Sequence, residues 1–558
     1  MDAHLLRACV EEGRAVDGWL KSTFTMHKLG FVRKTLPQPP WGQRRSVQIM
    51  SHHHMRRRLA ALAAAAGASA MLASLAAAGP AAATVPCQTV TGYGSGATLA
   101  SAAMSEVWLA PTGWAAHTNC ATPGKITYTK TSNGAGLEEF GNGTGVLQPQ
   151  EDPTAVKAEE KKEGILDTNK NVLDWFVMSS GAPSAEELGY AQEAAQSHNE
   201  PEVVVPVAQT PVAVLLSLPP GCEIEPSSEL DLNNTSIGQL WEGVNKPSGK
   251  DPGGIQAQGI YAADTWGAFL TQLGYTAISS PTEFVEGKKQ FVDSGGSTGC
   301  EQSITPQAFK TRSGTAESFK QYLGDVNRTV WHSLLSEEPT WPSGLVVFQD
   351  KLSAGSGELE NSSNTTIAEN TSANPGSVGF SNTAEASKHG GFSAKATKTT
   401  FGTGGGTSTE HEVLWAEIQN DGTGPEPESS GYADPLIPGE GHAANCETSV
   451  LVPNDQDFPY SWDDSWQYIN TTDPNIRNDA KVADYPICAL VFGIAWHHYQ
   501  NPGLFGKSES TELIANTIHD LFNYLTTQGQ LEVQGHFYQR FPTAMAAHVA
   551  IAVKEIKY

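Results

Sequence analysis

Gln88-Thr89-Val90-Thr91-Gly92-Tyr93-Gly94-Ser95-Gly96-Ala97-Thr98-Leu99 starts as a short β-prone run and passes into a Gly-rich stretch. It ends on the first residue of an apolar helical face, Leu99, Ala102, Ala103 and Val107. The reading is strand to Thr91, turn over Gly92–Thr98, then helix. The unit recurs. Lys125-Ile126-Thr127-Tyr128-Thr129 leads to Ser132-Asn133-Gly134-Ala135-Gly136 and then Leu137-Glu138-Glu139-Phe140. Val172 to Met178 leads to Ser179-Ser180-Gly181-Ala182-Pro183, and Ser184 to Glu187 has the spacing of a helix capping box. Repeated strand–turn–helix units predict an α/β fold with a largely parallel sheet. In such sheets ligands sit beyond the carboxyl ends of the strands, where these turns gather.

A fourth turn is Arg312-Ser313-Gly314-Thr315, followed by apolar Ala316, Phe319, Leu323 and Val326 at helical spacing, with Lys320, Gln321 and Asp325 assigned to the other side. Ser313-Gly314-Thr315 therefore forms a helix N-terminus, where unpaired N–H groups and the positive dipole end favour an anion. An ordinary N-cap gives the same local pattern, and only the company of the other turns favours the anion.

The 558 residues carry a net charge of −25. That balance excludes a phosphate-backbone partner such as nucleic acid, whereas local dipoles can still hold a small anion. Met55-Arg56-Arg57-Arg58, the Ala/Leu-rich run Leu59–Ala78 and Gly79-Pro80-Ala81-Ala82-Ala83 read as a secretory signal cleaved after Ala83. Residues 1–54 precede it as a leader outside the protein's own start, placed near Met50 or Met55. Beyond the signal lie Cys87, Cys120, Cys222, Cys300, Cys446 and Cys488, an even set that fits disulfides in an exported protein. Sequential pairing, Cys87–Cys120, Cys222–Cys300 and Cys446–Cys488, keeps each pair within one local region. Nothing has zinc-ligand spacing, so neither metal nor cofactor is expected.

Further along, Pro211 to Pro220 is a continuous apolar run that fits a buried strand. Val146–Asn171 reads as a surface excursion, Gly243–Gly259 and Ser353–Ser372 as loops, and Ser387–Thr409 and Asn420–Asn445 as polar insertions. Val413–Ile418 fits a helical turn or a strand. Tyr485–Phe492 is a buried strand, with helices through Leu513–Leu525 and Ala544–Ile556.

Several of these stretches together resemble the phosphate-binding subunits of bacterial ABC phosphate uptake systems. They are Gly94–Leu99, Tyr128 with Ser132–Gly136, Pro211–Gly221, Ser313–Thr315 with Phe319–Leu323, Pro375–Phe380, Tyr485–Ile487 and Tyr524–Gln530. The resemblance implies an α/β, two-lobed periplasmic-binding fold of type II with mixed sheets and a ligand cleft between the lobes. One lobe would hold residues 84–209 and 483–558, the other residues 210–482. It implies a monomer that hands phosphate to a membrane permease and catalyses nothing. Carried over by position, Thr98 and Leu99 bind from the first turn, Ser132 and Asn133 from the second, Ser180 from the third, and Ser313, Gly314 and Thr315 from the helix terminus. Two positions depart from the family. Gly181 stands where the family has an Asp that accepts a hydrogen bond from the protonated anion, leaving Glu317, Glu138 or Asp174 as substitute acceptors. Phe309 stands where the family has an Arg, so Arg312 is expected to supply that charge, with Lys310 as the rival. The missing Asp predicts weaker rejection of sulfate, or a cleft for another small oxyanion.

Other readings are weaker. Gly295-Gly296-Ser297-Thr298-Gly299 matches a nucleophile-elbow pattern, but Cys300, Ser303, Thr305 and Pro306 do not start the helix such an elbow needs. His497-His498 sits in an aromatic stretch that favours packing over catalysis. No Walker motif occurs. Trp462-Asp463-Asp464-Ser465-Trp466 has the character of a sugar-binding loop and equally of local packing.

Overall fold

The computed structural model describes residues 91–118, 125–131, 136, 137, 140, 174–181, 183, 202–241, 265–294, 299–309, 313–326, 363–402, 408–420, 431–440, 442–446, 484–499 and 511–557. All belong to one compact unit, Ala83–Tyr558. The signal segment, the leader, Cys87, Cys120, Val146–Asn171, Ser184–Glu187, the loop Gly243–Gly259 and the Trp462–Trp466 motif lie outside the described residues, as does most of the elbow-like run.

The strands are β1 (Thr91–Gly96), β2 (Lys125–Lys130), β3 (Phe176–Ser179), β4 (Glu202–Ser217), β5 (Cys222–Ile224), β6 (Leu230–Leu232) and β7 (Thr276–Ile278). They continue as β8 (Gln290–Asp293), β9 (Thr305–Pro306), β10 (Ser377–Asn382), β11 (Thr397–Gly402), β12 (Ser408–Gln419), β13 (Tyr432–Ala433) and β14 (Cys488–Trp496). The main helices are α1 (Asn234–Trp241), α2 (Trp266–Gln272), α3 (Gly314–Val326), α4 (Asn364–Ala373), α5 (Thr383–Gly390), α6 (Thr511–Thr526) and α7 (Ala546–Lys554). Eleven strands form one sheet with the path β11-β12-β4-β14-β3-β1-β2, and β5, β8 and β7 form a second. The fold is mixed α/β. The expected parallel block is β2-β1-β3; β14 and β4 continue it antiparallel, so the sheet as a whole is mixed rather than largely parallel.

β4 organises the sheet. All of its 16 residues are buried, which fits a central strand of β-branched and apolar residues. From Glu202 to Pro211 it pairs with β14; from Val212 to Leu216 it pairs with β10, and from Leu215 to Ser217 with β12. Two prolines inside a central strand would each remove a ladder hydrogen bond. Here Pro206 sits at a register shift between Val491 and Phe492, where Val207 is skipped, and Pro211 sits where β14 pairing ends. Prolines at a bulge and at a change of partner are where a sheet tolerates them.

Four expectations change. Gly92–Gly96 is strand β1, not turn; the turn begins at Ala97. Polar Ser387–Thr409 is not an insertion outside the sheet: it closes α5 and supplies β11, which pairs with β12 from Thr397↔Val413 to Gly402↔Ser408. Polar Thr and Lys residues are tolerated there because β11 ends the sheet's path and pairs on one side only. The loop expected over Ser353–Ser372 ends in helix α4, capped by Ser363, whose side chain accepts from the Thr366 N–H while the Thr366 hydroxyl accepts from the Ser363 N–H. Lys320 is buried, not on a solvated face of α3.

Among the described residues two disulfides are present. Cys222–Cys300 ties the start of β5 to the turn after β8, and Cys446–Cys488 ties residue 446 to the first residue of β14. Gly299 and Cys300 form a turn and no helix follows them, so the elbow-like run lacks its required context. His497 pairs with Glu555 at 3.1 Å and its ring lies against His498. Among the described residues no helix is long and apolar enough to cross a membrane, and no cluster suited to a metal occurs.

Glu412 on β12 gives a pH test of this sheet. Its carboxylate accepts from the Ile224 N–H at 3.0 Å, yet burial, with Glu223 nearby, pushes its pKa up to about 7. The folded state therefore holds a proton that the unfolded chain, titrating near about 4.3, has already lost. Stability is fully present below about pH 4.3 and falls as pH rises to about 7, by roughly 4 kcal/mol. Glu412→Gln keeps the acceptor oxygen without the charge. It should flatten that part of the stability–pH curve in urea titrations and make the protein more stable than wild type at pH 8.

Candidate functional site

The carboxyl ends of β1 and β3 lie side by side and meet the N-terminus of α3. After β1 the chain turns through a single 3₁₀ turn, Thr98–Ala100. Gly96 opens it at φ 126°, and a Cβ there would lie 2.1 Å from the Met178 carbonyl oxygen, so only glycine fits. The turn is held by its carbonyls. The Tyr128 hydroxyl donates to Ala97 O at 2.8 Å and the Tyr538 hydroxyl to Leu99 O at 2.6 Å. Burial raises the pKa of both tyrosines, for Tyr128 with Tyr538 and Asp174 adding to it and for Tyr538 with Glu385, so both stay protonated donors. With Ala97 N–H donating to Met178 O, the outward-facing groups of the turn are N–H groups. Among the described residues the N–H groups of Thr98 and Leu99 have no acceptor. The Leu99 side chain is fully buried, so its share in any site is its backbone.

α3 is fixed from beneath. Phe319 stacks on Phe380 at 4.3 Å and meets Trp241 edge-on at 4.8 Å. Phe309 joins the same cluster 5.4 Å from Phe380. The residue in the expected Arg register is thus a core aromatic and cannot offer charge. Ser313 caps the helix, accepting from Ala316 N–H at 3.4 Å. Gly314 donates its N–H to Ser180 Oγ at 3.1 Å. That contact is close: a Cβ on Gly314 would lie 2.3 Å from the Ser180 carbonyl carbon and 2.5 Å from Gly181 N. Glu317, one turn on, brings its Oε2 within 3.1 Å of where a Gly181 Cβ would stand. Asp174 is buried and accepts from the Ser95 hydroxyl.

Thr98 and Thr315 are joined by a residue that sequence reasoning missed. Asn364, the first residue of α4, donates from Nδ2 to Thr315 Oγ1 at 3.0 Å and to Thr98 Oγ1 at 3.4 Å. Its backbone N–H also reaches Thr98 Oγ1, at 3.3 Å. All three residues are buried. The signal available in the sequence was Ser363-Asn364-Thr365-Thr366, a capping box with Thr in place of the usual Glu or Gln, opening a polar helix with almost no apolar face.

The structure thus brings together Thr98, Leu99, Ser180, Ser313, Gly314 and Thr315. Ser132, Asn133, Arg312, Lys310 and Glu138 lie outside the described residues. Gly136, just after the second turn, packs directly on Gly96: a Cβ there would lie 2.7 Å from Gly96 Cα.

No protein-family model matches the chain, and no curated protein matches it. Among solved structures it is similar to a high-affinity periplasmic phosphate-binding protein solved with phosphate bound, at 16% identity and a TM-score of 0.46, covering 83% of this chain and 93% of that one. It is also similar to a phosphate-binding protein from Stenotrophomonas maltophilia, at 13% identity, TM-score 0.42, covering 83% and 93%. A human phosphate-binding apolipoprotein matches at 14% identity, TM-score 0.41, covering 82% and 93%. At these scores the chemistry of the site rests on this chain's own residues.

Proposed function

We propose that the chain is an extracytoplasmic binding protein for inorganic phosphate and delivers it to a membrane permease. The observation that carries this reading is the convergence of the α3 N-terminus, at Gly314, on the ends of β1 and β3, with N–H groups and hydroxyls as the facing chemistry. Such a set is made of donors, which suits a small oxyanion. The lobes would be residues 84–209 with 483–558 and residues 210–482. The change of pairing partner along β4 at Pro211–Val212 supports that division. The disulfides support an oxidising compartment. Arg312 would supply a full positive charge, and Ser132 and Asn133 a further wall. Micromolar affinity needs about 8 kcal/mol, which five or six charge-assisted hydrogen bonds at roughly 1.5–3 kcal/mol each supply after ordering costs.

Glu317 takes the acceptor role that Gly181 leaves empty, because its Oε2 already lies against Gly181. A carboxylate there accepts from a protonated phosphate and repels sulfate, which has no proton to give. Calorimetry with both anions tests the reading. Phosphate should give heat and a thermal shift, with sulfate weaker. Glu317→Gln should narrow the gap between the two anions by about tenfold. Absence of any phosphate heat or thermal shift would end the assignment.

A further inference from the structure

We infer that Asn364 fixes the direction of the Thr98 and Thr315 hydroxyls, turning the hydrogen of each toward the ligand and leaving Thr98 able only to donate. The inference rests on the phosphate reading above and names the residue that sets the site's polarity.

The amide orientation follows from its neighbours. Asn364 Oδ1 accepts from the Asn382 N–H at 3.2 Å and from Ser381 Oγ at 3.3 Å. Both sit at the end of β10, which is fully buried. The oxygen of the amide is therefore turned to β10, and Nδ2 must face the two threonines. An amide nitrogen is a donor only. Thr315 Oγ1 and Thr98 Oγ1 thus act as acceptors toward Asn364, and Thr98 accepts a second time from the Asn364 N–H. Both lone pairs of Thr98 Oγ1 and one of Thr315 Oγ1 are thereby engaged, so each hydroxyl hydrogen points away from Asn364. Among the described residues neither hydrogen has an acceptor. A buried donor without an acceptor is costly, and a ligand oxygen arriving between the two threonines removes that cost.

The ligand face that fits is one that only accepts. A tetrahedral oxyanion meets this condition when its unprotonated oxygens face Thr98 and Thr315. A protonated oxygen facing Thr98 would set hydrogen against hydrogen. Asn364 therefore orients a hydrogen phosphate, leaving its O–H for the Glu317 side. A free serine or threonine hydroxyl makes no such distinction, because it can rotate to donate or accept.

The test is phosphate calorimetry on the purified full-length protein and on Asn364→Asp, at pH 8 and pH 5. The carboxylate introduced by that substitution would accept from both threonines and reverse their hydroxyls. Affinity should drop more than 100-fold at pH 8. At pH 5 the fraction of neutral carboxyl rises and can again donate to a threonine, so the variant should recover at least tenfold relative to wild type at the same pH. Protonation also relieves repulsion between the new carboxylate and the anion, so the uncharged Asn364→Ala variant is the arm that isolates hydroxyl direction. Asn364→Ala, which frees the hydroxyls without reversing them, should lose about tenfold and serves alone if the Asn364→Asp variant does not fold. Wild-type affinity in Asn364→Ala, or a pH-independent loss in Asn364→Asp, overturns the inference while the phosphate reading stands. A wild-type protein that gives no heat with phosphate overturns both.

Discussion

Gly314→Ala should reduce phosphate affinity by roughly 100-fold or more while leaving α3 folded. The new Cβ would stand 2.3 Å from the Ser180 carbonyl carbon, 2.4 Å from its oxygen and 2.5 Å from Gly181 N. All three are backbone atoms, so no side chain can swing aside. The helix must retreat, and the Gly314–Ser180 hydrogen bond goes with it. The helix itself gains: alanine is about 1 kcal/mol better than glycine in a helix. Circular dichroism and the unfolding midpoint should therefore stay near wild type while calorimetry shows the loss. Undiminished affinity would mean that the α3 N-terminus does not close on β3 around the ligand. A collapse of both stability and binding would point to folding instead.

Removing the Cys446–Cys488 disulfide should produce a large loss of stability. The bond spans 42 residues, and closing a loop of that size in the unfolded chain is worth about 4 kcal/mol on the chain-entropy account. Its position adds to the effect. Cys488 pairs with Pro211 on β4, the last residue before the strand changes partners. Residue 446 follows Asn445, whose carbonyl accepts from the Tyr485 N–H at 2.8 Å. Tyr485 in turn donates its hydroxyl to the Val212 carbonyl at 3.0 Å. The double variant Cys446→Ala with Cys488→Ala should unfold at clearly lower urea concentration. An unchanged midpoint would show that these hydrogen bonds alone order the segment in both states.

What the sequence revealed follows from the kind of signal each element carries. The strands β1, β2 and β3 and the Ser313–Thr315 helix terminus were legible because β-prone runs, turn chemistry and helical period are local. The second half of β4 was legible as an apolar run; its first half, Glu202–Gln209, was not, because Glu202, Pro206 and Gln209 interrupt the pattern. Pro206 is accommodated only by a bulge in β14 pairing, which is a tertiary fact. Gly92–Gly96 reads as a turn on propensity, yet the close approach of Phe176 makes glycine necessary there: a Cβ on Gly94 would lie 2.3 Å from the ring. Asn364 was invisible for a similar reason. Its role comes from residues far away in sequence, Thr98 and Thr315, and its helix has too little apolar periodicity to stand out. Lys320 was misplaced because helical period says which face a residue is on, not what covers that face.

The continuity of β4 and the placement of β14 have a consequence for folding order. β3 borders β14 on one side, with Phe176–Ser179 paired to Phe492–Ala495. The β2-β1-β3 block, complete by Ser179, thus waits for residues more than 300 positions later before its open edge is covered. Contacts of such long sequence separation slow folding, and an uncovered edge strand is a template for pairing with the wrong chain. A chain made and threaded across a membrane from its N-terminus would hold this edge bare until β14, at Cys488–Trp496, emerged. Refolding should therefore be slow and concentration-sensitive, and truncation before residue 488 should leave the N-terminal block aggregation-prone rather than independently folded.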